Sequence, residues 1–224
     1  MRWLAFVVTL FQAVAPAYPQ AARAPGNVPD LRGVYQAIPS GTALAGGRKN
    51  EGSPNDVALL PAAQQQMKTI NLKGDPARLC QPVGPFRMMA RDQTKIELVP
   101  APGLIIMLFE DIAHGYMRTI HTARAHPEKL EPTWLGDAIG HWEGDTLIVD
   151  TAGFNDRTWL NERGAQHSDK LHLMERIRPI LNGTYLEYKV TAEDPGVMAK
   201  PYTYTRYYEK LKTEVMDDVC EFPE

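Results

Sequence analysis

The stretch Leu171 to Glu193, LHLMERIRPILNGTYLEYKVTAE, alternates apolar and polar residues on both sides of Asn182-Gly183. A period of two marks a half-buried strand, and Asn-Gly marks a two-residue hairpin loop, because a type I′ turn needs positive φ at both central positions. Closing the loop there pairs Leu181 with Thr184, Pro179 with Leu186, Ile177 with Tyr188, Glu175 with Val190 and Leu173 with Ala192. That face is apolar except for Glu175. The other face sets Arg178 against Glu187 and Arg176 against Lys189 and is expected to meet water. A second hairpin turns at Gly144-Asp145, with glycine where a type II′ turn requires it. It pairs Trp142 with Leu147, Gly140 with Val149 and Ala138 with Thr151 on the core face, and His141 with Ile148 and Ile139 with Asp150 on the other. Gly140, opposite a branched side chain, is expected to relieve crowding where the sheet bends.

The pattern continues outward from these hairpins. Lys95 to Val99, Leu104 to Glu110, Tyr116 to Ala123, Trp134 to Glu143, Thr146 to Ala152, Leu171 to Leu181, Thr184 to Glu193 and Tyr202 to Lys210 all read as strands, and Asp30 to Gln36 offers a short earlier one. LIIMLFE (Leu104 to Glu110) is apolar on both faces, which predicts a strand covered on both sides, with the N-terminal helix as a candidate cover. That helix is predicted from Pro61 to Asn71, with proline at its first position. Ser40 to Pro54 reads as a mobile loop, and 76–92 as irregular with a helical turn or two. Consecutive strands joined mostly by short turns close most simply into an antiparallel up-and-down β-barrel, which removes both sheet edges. An open, strongly curved sheet packed on the helix is the alternative. The expected class is all-β with a minor N-terminal helix: one barrel domain over 25–224, irregular or helical over 25–93.

The N-terminus departs from this pattern. Arg2 precedes the apolar run Trp3 to Ala15, and small residues follow, so residues 1–24 read as a cleaved signal peptide. The apolar run is too short to span a bilayer comfortably. A secreted or periplasmic protein is therefore expected, and its two cysteines, Cys80 and Cys220, are expected to form a disulfide in an oxidising compartment. The net charge of −3, without a basic stripe, argues against nucleic acid or an anionic membrane surface as partner. The histidines show no HxH or HExxH spacing and the cysteines no CxxC, so neither a metal nor a cofactor is expected.

Three regions could carry chemistry. An unpaired Glu175 among Leu173, Ile177, Tyr188 and Val190 would be desolvated enough to transfer protons near neutral pH. The alternative is a structural ion pair with Arg118 or Arg124 on a neighbouring strand. Arg118 to Pro127, RTIHTARAHP, brings His121, Arg124 and His126 to a strand end, although His121 and His126 face opposite sides of a continuous strand. The long connection Gly153 to Lys170 carries Asn155, Asp156, Trp159, His167 and Ser168, and loops of that length commonly carry function. It is either a lid, with Trp159 over a barrel mouth and His167 beneath it, or a surface loop pinned by its tryptophan. Trp134, Trp142, Tyr188, Tyr202, Tyr204 and Tyr208 could line an aromatic pocket or fill the core.

The residues PTWLGDAIGHWEGDTLIVDTAGFNDRTWLN, followed by GAQHSDKLHLMER, resemble a group of secreted bacterial proteins. That group shares a PTWxG block, a WEGDTLxVDTxGF block, then W, HS and ER. The resemblance runs from CQPVGP at Cys80 to Cys220 and implies one secreted, lipocalin-like β-rich domain without a named activity. Glu175-Arg176, His167-Ser168 and Arg124-x-His126 fall inside the shared pattern. RTIHTAR departs from the Asp-Gly-Arg form of that group, which weakens any role for His121.

Two functions follow as expectations. In the first, a cofactor-independent acid–base enzyme (a lyase, isomerase or hydrolase) acts on an apolar or aromatic small molecule. Glu175, His126 and His167 would move protons and Arg124 would stabilise developing negative charge. Trp134, Trp159, Tyr188 and Arg118 would bind the substrate. In the second, the barrel is a carrier of hydrophobic ligands, and Glu175 forms a structural pair with Arg124. The two differ in whether Glu175 is paired and buried or stands free in a cavity beside a histidine.

Overall fold

The computed structural model describes residues 28–92, 94–110 and 116–216. Residues 1–24, expected to be a signal peptide, and Cys220 lie outside the described residues. Among those described, nine strands close into a barrel: β1 (Gly33–Ala37), β2 (Lys95–Ala101), β3 (Leu104–Glu110), β4 (Tyr116–His121), β5 (Asp137–Glu143), β6 (Thr146–Ala152), β7 (His172–Ile180), β8 (Tyr185–Glu193) and β9 (Tyr202–Leu211). The expected all-β barrel is thus present, and the early short strand is the one that closes it, pairing with β2 on one side and β9 on the other.

One seam departs from pure up-and-down alternation. β4 and β5 run parallel, joined through Ile120↔Ala138 and His121↔Ile139, whereas every other neighbouring pair is antiparallel. Nine strands cannot alternate direction around a closed ring, so one parallel seam is required. The connection 122–136 makes that crossover.

Both hairpin registers hold residue by residue. β7 and β8 pair Leu173 with Ala192, Glu175 with Val190, Ile177 with Tyr188 and Pro179 with Leu186. The loop is wider than predicted: Leu181, Asn182 and Gly183 all take positive φ between Ile180 and Tyr185. The register survives because the loop gains one residue on each side of Asn182-Gly183. β5 and β6 pair as expected around Gly144 (φ 61). A Cβ on Gly140 would come within 2.9 Å of Ile120 Cγ2, so the glycine gives the parallel seam its room.

The interior is filled by side chains. Tyr35, Ile96, Leu98, Met107, Ile120, Tyr188, Tyr204 and Tyr208 are fully buried. A short helix, α2 (Pro85–Met88), plugs them: Phe86, Met88 and Met89 are buried. Tyr204 Oη donates to the Phe86 carbonyl at 2.6 Å and Tyr208 Oη to that of Met89 at 2.7 Å. Behind the plug, Arg87 and Asp75 form a buried two-pronged ion pair at 2.7 and 2.8 Å. The predicted helix is α1 (Pro61–Thr69), but it does not cover β3. Leu60 N–H, at its N-cap, bonds to the Val197 carbonyl of the β8–β9 connection, and Gln66 Nε2 donates to Gln166 Oε1, so it lies against both that connection and the long β6–β7 one. The segment expected to be a mobile loop returns along β9, where Glu51 exchanges backbone hydrogen bonds with Thr205. No described helix is long and apolar enough to cross a membrane.

Candidate functional site

Four inward-facing positions build one polar network in the barrel. Met107↔Arg118, Val149↔Glu175, Thr151↔Leu173 and Ile177↔Tyr188 place Arg118, Glu175, Thr151 and Tyr188 on the core side of β4, β7, β6 and β8. Arg118 Nη1 donates to Glu175 Oε1 at 2.8 Å, and Nη2 to Oε2. Tyr188 Oη donates to Oε1 at 2.8 Å and Thr151 Oγ1 to Oε2 at 3.1 Å, while Thr151 accepts from Arg118 Nη2 at 2.6 Å. Glu175 is 0 % exposed and Arg118 2 %. Burial opposes the charge on Arg118, but the Glu175 carboxylate outweighs it and holds the guanidinium above its ordinary pKa. Burial, reinforced by the Glu175 charge, raises the Tyr188 phenol well above its ordinary value.

Glu175 is therefore paired and buried, the alternative that the sequence left open. Its partner is Arg118 rather than Arg124, because Arg118 falls on the inward register of β4 while Arg124 lies beyond the strand's end. Arg118 and Tyr188, expected to bind ligand, instead hold the Glu175 carboxylate inside a packed barrel.

Arg124 and His126 do meet, on the outer surface. Arg124 grips Asp137 with both Nη atoms, and His126 Nδ1 lies 2.6 Å from Asp137 Oδ2. His126 Nε2 lies 3.2 Å from Asp150 Oδ1, which also contacts His172 Nε2 at 2.8 Å, and His172 Nδ1 lies 3.1 Å from Glu193. This chain crosses the outward faces of β5, β6, β7 and β8. Arg124's hydrogen bond, set against partial burial, keeps the Asp137 carboxyl below its ordinary value. Among the described residues no group of three or more His, Cys, Asp or Glu is placed to hold a metal ion. His126 and Glu175 lie on opposite sides of the barrel wall, so they are not brought together. His121 is displaced below its ordinary pKa by burial and by the Arg124 charge.

His167 sits in a third place. It is buried inside the β6–β7 connection, with Nδ1 2.8 Å from the Ser168 carbonyl and Nε2 2.6 Å from Thr158 Oγ1. A carbonyl only accepts, so Nδ1 carries the proton and Nε2 accepts from the threonine. Burial holds its pKa below the usual value. Both nitrogens are spent on the loop's own structure, which corrects the expectation of an acid–base group under a lid. Ser168 likewise donates Oγ–H to Asp194 at 2.7 Å.

The same connection forms one wall of an open cleft of about 450 Å³. Trp159 pairs with Gln166 across a tight turn, closed by the Leu160 N–H to Ala165 carbonyl bond at 2.7 Å and by Asn161 Oδ1, which accepts from Arg163 and Ala165 N–H. Trp134 is brought in by the Thr133↔Phe154 bridge, which clamps it beside Asp156 and Arg157. The far wall comes from Ile70 to Gln81, shaped by the turns that Asn71 and Asp75 cap. Gly164 lets this wall close: a Cβ there would lie 2.4 Å from Ile70 Cγ2. Arg157 places its guanidinium 5.6 Å from the Trp134 ring centroid. Of the aromatic candidates, Trp134 and Trp159 line this cleft, Tyr204 and Tyr208 hold the plug, and Trp142 packs partly against the core. The sequence reading missed Asn71, Gln81 and Arg157, which come from turns with no periodic pattern.

No protein-family model matches the chain, and no curated protein matches it.

Proposed function

We propose that this protein is a secreted or periplasmic small-molecule-binding β-barrel whose ligand seats in the Trp134–Trp159 cleft on its outside. One observation carries the reading: Trp134 of the 122–136 connection converges with Arg157 and the buried Trp159 of the β6–β7 connection on an open cleft of about 450 Å³, while the barrel interior is filled by side chains and the Arg118–Glu175 network. The volume falls within the range of small-molecule sites, and an indole-lined cleft with a few convergent polar groups is their usual composition. The lining mixes apolar and polar side chains, so the expected purely hydrophobic ligand fits it poorly.

The acid–base enzyme is the second reading. It has lost its centre, since Glu175, His126 and His167 occupy three separate environments, and what favours it is the outer Arg124–Asp137–His126 contact. The signal peptide, the Cys80–Cys220 disulfide and membership of the lipocalin-like secreted group belong to the proposed reading and rest on the sequence pattern.

The test is mass spectrometry of a mixed library of aromatic, terpenoid and sugar-acid compounds incubated with the purified protein and with Trp134→Ala. Compounds retained unchanged by the wild type and lost by the variant support a binding protein. A compound chemically altered by the wild type replaces this reading with the enzyme.

A further inference from the structure

We infer that the cleft takes an uncharged saccharide, with a pyranose ring laid on Trp134 and its hydroxyls held by the planar polar groups around it; this rests on the cleft being the ligand site.

The lining has two components. Trp134, half-buried, presents a flat apolar ring, and Trp159, 4 % exposed, backs the cleft behind it. Around them stand Asn71, Gln81, Asp156, Arg157 and Gln166, every one a planar amide, carboxylate or guanidinium. Each of these groups offers two or more donor or acceptor positions in one plane. That geometry matches a pair of neighbouring hydroxyls, each of which donates and accepts at once. A pyranose has the same division: its C–H groups form apolar faces and its hydroxyls form a polar rim.

Charge narrows the class. The lining holds one cation, Arg157, and one anion, Asp156, so their formal charges cancel. An anionic ligand would meet Asp156 as well as Arg157, and a purely aromatic one would leave the polar groups without partners on desolvation, which costs affinity. Arg157 is available. Among the described residues its guanidinium makes no ion pair or hydrogen bond, and its recorded contact is the stacking on Trp134. Asn71 spends its Oδ1 on the Lys73 N–H and Gln166 its Oε1 on Gln66, which leaves amide N–H groups to donate from both. The cleft is open rather than enclosed, which suits a ring that is one unit of a longer chain.

The experiment is isothermal titration calorimetry, with tryptophan fluorescence alongside. The probes are maltotriose, cellotriose and xylotriose, with glucuronate, benzoate and indole as comparators, each at low and at high salt. We expect one of the trisaccharides to bind with little salt dependence and to perturb the fluorescence. Trp134→Ala and, independently, Arg157→Gln should each weaken that binding by about tenfold or more. The variants' melting temperatures, close to wild type, confirm that the fold is kept. If benzoate, glucuronate or indole binds in a Trp134-dependent way and the trisaccharides do not, the saccharide class is overturned while the cleft stands as the ligand site. If no probe binds, or binding survives both substitutions, the inference and the reading beneath it both fail.

Discussion

Arg118 on β4 and Glu175 on β7 form a two-pronged ion pair although β5 and β6 lie between their strands. The contact crosses the barrel's interior, with Thr151 on β6 bridging the two side chains. Such a pair resists disruption more than it adds net stability, because removing one partner strands the other's charge away from water. Glu175→Gln is expected to destabilise by about 3–5 kcal/mol, whereas replacing both partners by methionine recovers most of that loss. Urea denaturation of the single and double variants measures it. A Glu175→Gln protein as stable as wild type would remove the structural role.

Tyr188 donates to the same carboxylate at 2.8 Å. Tyr188→Phe keeps the ring and its packing but takes away a hydrogen bond to a charged group, a loss of about 1.5–3 kcal/mol. The same denaturation measurement checks it, and Tyr207→Phe, whose partly buried hydroxyl bonds Glu187 at the surface, should cost clearly less.

His167 makes stability depend on pH in a definite direction. Its folded pKa lies below the ordinary 6.5 because it is buried. As pH falls through 6.5 the unfolded chain takes up a proton that the folded chain refuses, so stability is lost on acidification and retained above neutrality. In the folded protein the His167 ring signals in an NMR titration should stay in the neutral form down to a pH below that midpoint. A His167 that titrates at or above 6.5 contradicts the buried, doubly bonded tautomer.

Gly164 has φ +91 and stands where a Cβ would be 2.4 Å from Ile70. Gly164→Ala therefore combines backbone strain with a clash, each of order 1–3 kcal/mol. The damage should fall on the cleft wall: hydrogen exchange ought to rise in 70–74 and 159–166 before it rises in β7 and β8.

What was legible in the chain followed from local rules. Turn residues and period-two alternation placed the register of both hairpins, though not the width of the β7–β8 loop, and with it the inward-facing Glu175. Its partner was not legible, since choosing Arg118 over Arg124 requires knowing where β4 ends and that the barrel closes over two intervening strands. The parallel β4–β5 seam is likewise a property of closure, not of any segment. Trp134 and Trp159 were legible as candidate pocket aromatics, but the wall they face comes from 70–81, a run of short 3-10 turns that carries no periodicity. Asp150 was placed opposite Ile139 by register, yet its contacts with His126 and His172 depend on how 122–136 folds back over the sheet.

The central claim is that ligand binds outside the barrel, and the indole N–H signals report on it directly. Trp134 and Trp159 line the cleft, whereas Trp142 packs beside the core. Titrating the trisaccharides into protein labelled with 15N at tryptophan should move the Trp134 and Trp159 indole peaks and leave Trp142 in place. Movement of Trp142 with Trp134 and Trp159 unchanged would put the ligand elsewhere and contradict the account.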